Sequence, residues 1–129
     1  QCQMCIRARL NTELAKNNQG EYVDGYFIDQ RNEGLTLDFV SLSDNEIQAI
    51  LKKEMPDDLF YKTIPNLYQK WALLELQSSD PTWEKMMAIT YMDGVCISYI
   101  YACDTELYSA ERAENALANA ITRTSVKIK

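Results

Sequence analysis

Two runs of mixed apolar and polar residues, Trp83–Met92 and Val95–Cys103, flank the dipeptide Asp93-Gly94, which is the two-residue signal for a tight hairpin turn. Setting Met92 opposite Val95 pairs Thr90 with Ile97, Ala88 with Tyr99 and Met86 with Tyr101 on one face. The other face then carries Tyr91 with Cys96, Ile89 with Ser98 and Met87 with Ile100. Both faces are apolar, which predicts a central hairpin covered on each side or one face kept for a partner. The Tyr91, Ile89 and Met87 side is expected to be the buried one. The Tyr99, Tyr101 and Met86 side has amphipathic rings that tolerate partial exposure.

The other elements follow from period and punctuation. Residues 4–17 place Ile6, Leu10 and Leu14 at helical spacing and predict an N-terminal helix. A first hairpin is expected from residues 21–29, the turn Arg31-Asn32-Glu33-Gly34 and the alternating run Leu35–Leu42. Ser43-Asp44-Asn45-Glu46 is a capping box ahead of Ile47, Ile50 and Leu51, and Pro56 ends that middle helix. Asp57-Asp58 could cap another short helix, and Pro65 could open one through Leu67, Tyr68, Trp71 and Leu74. Ala72–Gln77 reads equally as a strand. Ser109 caps a last helix with Ala113, Ala116, Leu117, Ala120 and Ile121 inward and Arg123 at its end. The expected fold is therefore a single α+β domain over residues 1–129, with an antiparallel sheet of two hairpins packed against N-terminal, middle and C-terminal helices.

Length supports that reading. A chain of 129 residues can bury roughly two-thirds of its unfolded surface, enough for a core without staples. No stretch approaches the roughly 20 apolar residues of a membrane helix, and no signal peptide is visible. A cytoplasmic protein is the expectation, although a start at Gln1 leaves a processed or truncated terminus open.

Charge narrows the partners. The chain carries a net −6, unevenly spread. Residues 21–58 hold ten acids against three bases, and residues 75–114 hold eight against two. Such a field repels nucleic acid and anionic membranes and attracts basic proteins. It also simply keeps a protein soluble.

Chemistry is scarce. There is no histidine, so triads, imidazole acid–base pairs and most zinc sites are excluded. Cys2, Cys5, Cys96 and Cys103 do not make a close-spaced metal framework. On one strand, Cys96 and Cys103 fall on opposite faces. Reduced thiols or a disulfide both remain open. No phosphate-binding glycine loop, nucleophile elbow or calcium loop occurs. No catalytic residue, metal ligand or cofactor is expected, and the chain is read as a binding protein rather than an enzyme. Asp57-Asp58, with Glu54 nearby, suits recognition of lysine or arginine side chains as well as helix capping. Acids on the first hairpin suit a docking face or a solvated one. Trp71 and Trp83 read as core anchors, and the tyrosines as core or interface.

The run Trp83-Glu84 through Tyr91, Asp93-Gly94, the aromatic strand Val95–Tyr101 and the acidic Asp104 resembles the C-terminal half of YezG-like bacterial immunity proteins. The resemblance spans roughly residues 65–123. It implies a small cytoplasmic protein that binds and neutralises a cognate toxin, often a nuclease. Charge agrees, because a nuclease needs a basic surface that an acidic inhibitor complements. On this reading Asp44, Glu46, Glu54, Asp57 and Asp58 form the acidic contact patch, and Tyr99 and Tyr101 are aromatic anchors. Two alternatives stay open. One is a homodimer resembling type III secretion chaperones that wraps an effector segment; the other is a small-ligand-binding domain.

Overall fold

The computed structural model describes residues 4–7, 13–16, 22–32, 38–65, 69–77, 82–92, 95–123 and 125–128, with side chains described from residue 38 to residue 123 within those spans. The strands are β1 (Met4–Arg7), β2 (Glu13–Lys16), β3 (Tyr22–Asn32), β4 (Leu59–Pro65), β5 (Lys70–Leu76), β6 (Trp83–Met92), β7 (Val95–Asp104) and β8 (Ser125–Ile128). The helices are α1 (Asp44–Glu54) and α2 (Ala110–Thr122), with a 3-10 turn at Phe39–Ser41. Six strands form one antiparallel sheet in the order β2-β3-β7-β6-β5-β4, and β1 pairs with β8 separately.

The fold is α+β, with an antiparallel sheet flanked by two helices. The central hairpin has the register its sequence dictates: Met92 faces Val95, Ala88 faces Tyr99 and Met86 faces Tyr101. Its two faces enter two separate cores. On one, α2 lays Ala113, Leu117, Ala120 and Ile121 over Trp71, Leu73, Met86, Ala88, Ile97 and Tyr99. On the other, α1 and the 3-10 turn bring Ile47, Leu51 and Phe39 against Ala72, Leu74, Ile89, Tyr91 and Cys96. Cys96 and Cys103 are buried thiols, one in each core. The alanines of α2 keep the helix close to the sheet, and each fully buried Leu or Ile contributes about 1.5–3 kcal/mol.

Both helix starts behave as read. Ser43 accepts from the Glu46 N–H and Glu46 returns the bond to the Ser43 N–H, completing the capping box. Ser109 accepts from the Arg112 N–H.

Several expectations fail. Two helices flank the sheet, not three: the span read as an N-terminal helix contains the strands β1 and β2. Short segments of four residues take their conformation from their pairing partners, here β8 and β3, rather than from intrinsic period. Of the expected first hairpin, the described part of the second run, residues 38–42, holds a 3-10 turn and not a strand. β3 pairs with β7 and β2, while Asp38 accepts the Val40 N–H and the Ser41 hydroxyl donates to the Asp38 carbonyl, turning the chain at Phe39. Local side-chain bonds of this kind compete with a ladder. No helix begins at Asp57-Asp58; those residues turn the chain into β4, and Asp58 accepts the Gln77 N–H. Pro65 ends β4 instead of opening a helix. Trp71–Leu74 lie in β5, where alternate residues enter opposite cores, so a continuous apolar run is a strand covered on both sides. The second hairpin-like pair is thus β4 with β5. Leu35, Leu37, Leu67, Tyr68, Asp93, Gly94 and the side chains of Cys2, Cys5, Tyr22 and Tyr26 lie outside the described residues.

Candidate protein-binding pole

Antiparallel order sends alternate strand ends to the same edge of the molecule. The start of β4, the end of β5, the start of β6 and the end of β7 lie at one pole of the sheet. α1 runs into β4 there, and α2 starts there after β7. This topology gathers charge that is dispersed in sequence. The end of α1 and its following turn bring Glu54, Asp57 and Asp58; the strand ends bring Glu75, Glu84 and Asp104; the approach to α2 brings Glu106 and Glu111. Against these eight carboxylates stand Lys52, Lys53, Lys85 and Arg112 among the residues with described side chains.

Apolar side chains sit within the same pole. Leu59 is 67% exposed, Leu107 46% and Tyr61 38%. Leu59 faces Glu75 across the β4–β5 ladder, and Glu84 faces Cys103 across β6–β7. A shift of register between Phe60 and Lys62 turns β4 at Tyr61, so that Phe60 packs on the α1 side and Ile64 on the α2 side. Tyr108 packs partly against the α2 core. Burial, then the carboxylates Glu75 and Glu84, then Tyr61 and Cys103, push its phenol up to about 12. Burial is the largest of these causes, and the carboxylates of Glu75 and Glu84 add to it. Lys62 is committed elsewhere: its Nζ lies 2.9 Å from Glu114 Oε2, which raises the lysine above its ordinary value, and 5.9 Å from the centre of the Tyr61 ring.

The residues singled out from sequence divide. Glu54 and Asp57 are exposed at this pole, and Asp58 is half-buried there. Asp44 and Glu46 stand at the far end of α1, about 15 Å away for a helix of this length. Both are engaged within the fold. Asp44 pairs with Lys70 at 2.6 Å, and that bond, with one from Thr63, holds its carboxyl below the usual range. Glu46 is lowered by its capping bonds to Ser43. Tyr99 and Tyr101 are in the core, 4% and 2% exposed, rather than on the surface where anchors would stand. Tyr99 lies 5.7 Å from Trp71, ring centre to ring centre, beneath α2. The covering α2 was legible, but which face it takes was not.

Sequence reading missed Glu75, Glu84, Glu106, Leu59, Leu107 and Tyr108. The acidic balance of residues 75–114 was a signal for three of them; their convergence needed the strand order. Among the described residues, no group of three or more cysteines and carboxylates is placed to hold a metal ion. Also among them, no helix is long and apolar enough to cross a membrane.

No family model matches the chain. No curated protein is similar to it. Five solved chains are similar in structure, among them the solution structure of cyanobacterial PsbP (CyanoP) from Synechocystis sp. PCC 6803, with a TM-score of 0.49 and 8% identity over 98% of this chain and 92% of that one. A likeness at that level says nothing of function.

Proposed function

We propose that the protein is a binding module that captures a basic protein partner on the acidic pole, and that the partner is a toxin of the nuclease type which it neutralises as an immunity protein. The observation that supports this is the convergence of eight carboxylates around exposed Leu59 and Leu107. Charge gives fast, steered association, and the apolar side chains give the contact area that holds a complex once formed. The resemblance of residues 65–123 to YezG-like immunity proteins supports the choice of a toxin. On this reading the protein acts in the cytoplasm by occlusion, without catalysis or a cofactor.

The test is affinity capture from the native host with elution across a salt gradient and mass spectrometry of what elutes. A basic partner in a one-to-one complex, released by salt and losing its toxicity when bound, is the expected result. Unfolded clients held on a dimer and resistant to salt would replace the inhibitor reading with a chaperone.

A further inference from the structure

The two faces of the sheet are closed by layers that hold unequally. Among the described residues, the core under α2 gathers thirteen buried side chains and the core under α1 gathers eight, and no residue belongs to both. α2 is tied to strands at each end: it follows β7, inside the sheet, and β8 after it pairs with β1. α1 leads instead into β4, an edge strand. The layer made by the 3-10 turn and α1, residues 38–55, inserts three fully buried side chains, Phe39, Ile47 and Leu51. Its polar ties to the sheet meet at one end. There Lys70 on β5 pairs with Asp44 at 2.6 Å and donates to the Leu42 carbonyl at 3.2 Å, and Thr63 on β4 bonds to Asp44. The other end passes into a turn in which the Asp58 N–H donates to the Met55 carbonyl. Beneath the layer, Phe39 lies 5.2 Å from Tyr91, ring centre to ring centre, and Tyr91 faces Cys96 on β7.

We infer that residues 38–55 are a latched strap, which opens from the sheet as a unit while the α2 face stays closed, with Lys70 as the latch. Proteins open in contiguous units, and the units with few buried apolar contacts of their own open first. This one leaves without breaking a strand pair, because it contributes no strand and its C-terminal hinge runs into an edge. The open state keeps the ladder from β3 to β5 and the whole α2 core. What it uncovers is apolar: Ala72, Leu74, Ile89 and Tyr91, with Cys96 among them. Lys70 governs the step because one ammonium holds both the carbonyl before the Ser43 cap and the acid after it. Its loss releases the start of α1 while Phe39, Ile47 and Leu51 remain. The strap does not rest on what binds at the acidic pole.

The experiment follows alkylation of the full, reduced chain by iodoacetamide at neutral pH, assigned peptide by peptide in a mass spectrometer. Cys96 then reports the α1 face and Cys103 the α2 face, each rate divided by that of the same thiol in the urea-unfolded chain. Cys96 is expected to react about tenfold faster than Cys103 in native buffer. Its rate should also rise less steeply with urea, because the strap exposes less surface than unfolding does. Lys70→Met keeps the stem and removes the charge, and should quicken Cys96 about fivefold. Ile121→Val trims the α2 core by one methyl and leaves the fold intact. It should quicken Cys103 about fivefold and leave Cys96 unchanged, since the α2 core is the same in the closed and open states. Three results would overturn the strap. Equal protection of both thiols with one urea dependence, or equal quickening of both in Ile121→Val, would mean that Cys96 is reached only by full unfolding. A Cys96 rate untouched by Lys70→Met would mean that it is reached by fraying of the β6–β7 hairpin.

Discussion

Arg112 Nε donates to the Tyr101 hydroxyl at 3.1 Å, from the first turn of α2 down to the strand beneath it. That bond satisfies the polar tip of a ring that is otherwise in the core, and it explains how an amphipathic residue comes to serve as packing. Tyr101→Phe removes one partly buried hydrogen bond and leaves the ring. Unfolding in urea should show a loss of about 0.5–1.5 kcal/mol. Affinity for a captured partner should be unchanged. A loss of binding without a loss of stability would return Tyr101 to the surface role its sequence pattern suggested.

The pole makes a different prediction. Replacing Asp57, Glu84 and Glu106 together by their amides should slow association with a basic partner by about tenfold at low salt and flatten its dependence on ionic strength. The dissociation rate should change less. Replacing Asp44 and Glu46 in the same way should leave association near wild type, because those groups lie at the opposite end of α1 and are already engaged. Rates from surface-immobilised partner across a salt series separate the two. Equal effects from both variants would mean that total charge, not its placement, sets the encounter.

The β6–β7 hairpin was legible because its turn dipeptide and its two alternating runs specify one register, and every cross-strand pair read from them is present. The helices α1 and α2 were legible because each has a side-chain cap that fixes its start. β5 was ambiguous for a physical reason: Trp71, Leu73, Ala72 and Leu74 are all fully buried, so a strand covered on both faces has no polar alternation to distinguish it from a buried helix. The acidic pole was only half legible. Glu54, Asp57 and Asp58 are neighbours in sequence, whereas Glu75, Glu84 and Glu106 meet them only through the order β7-β6-β5-β4. That order is a long-range property, and no local pattern encodes it.

The two leucines of α2 and its approach should respond oppositely. Leu117 is fully buried between α2 and the sheet, and Leu107 is 46% exposed at the pole. Leu117→Ala leaves a cavity that a close-packed helix cannot collapse, for a cost of about 2–5 kcal/mol in chemical unfolding. Leu107→Ala should stay within about 0.5 kcal/mol of wild type. Its effect should instead be on dissociation of a bound partner. A large stability loss at Leu107 would show that the residue packs into the fold and is not free for contact.

Lys70 reaches from the start of β5 to the first turn of α1, where it pairs with Asp44 and also donates to the Leu42 carbonyl at 3.2 Å. The hydrogen bond from Lys70, then that from Thr63, lower the Asp44 carboxyl from its ordinary value. Unfolding releases both, so the unfolded chain takes up a proton at higher pH than the folded one. The stabilisation is therefore fully present above the ordinary carboxylate range, near pH 4, and is lost as pH falls through the lowered folded value. Glu46, held down by Ser43, acts in the same direction and the same window. Melting temperature followed from neutral to strongly acidic pH should therefore fall more steeply in wild type than in Asp44→Asn. The variant should be less stable at neutral pH, with the two curves converging at the acid end. Since Asp44 is exposed, added salt should narrow the gap. Parallel curves, offset by a constant amount at every pH, would show that Asp44 acts through the geometry of its hydrogen bonds alone and not through its charge.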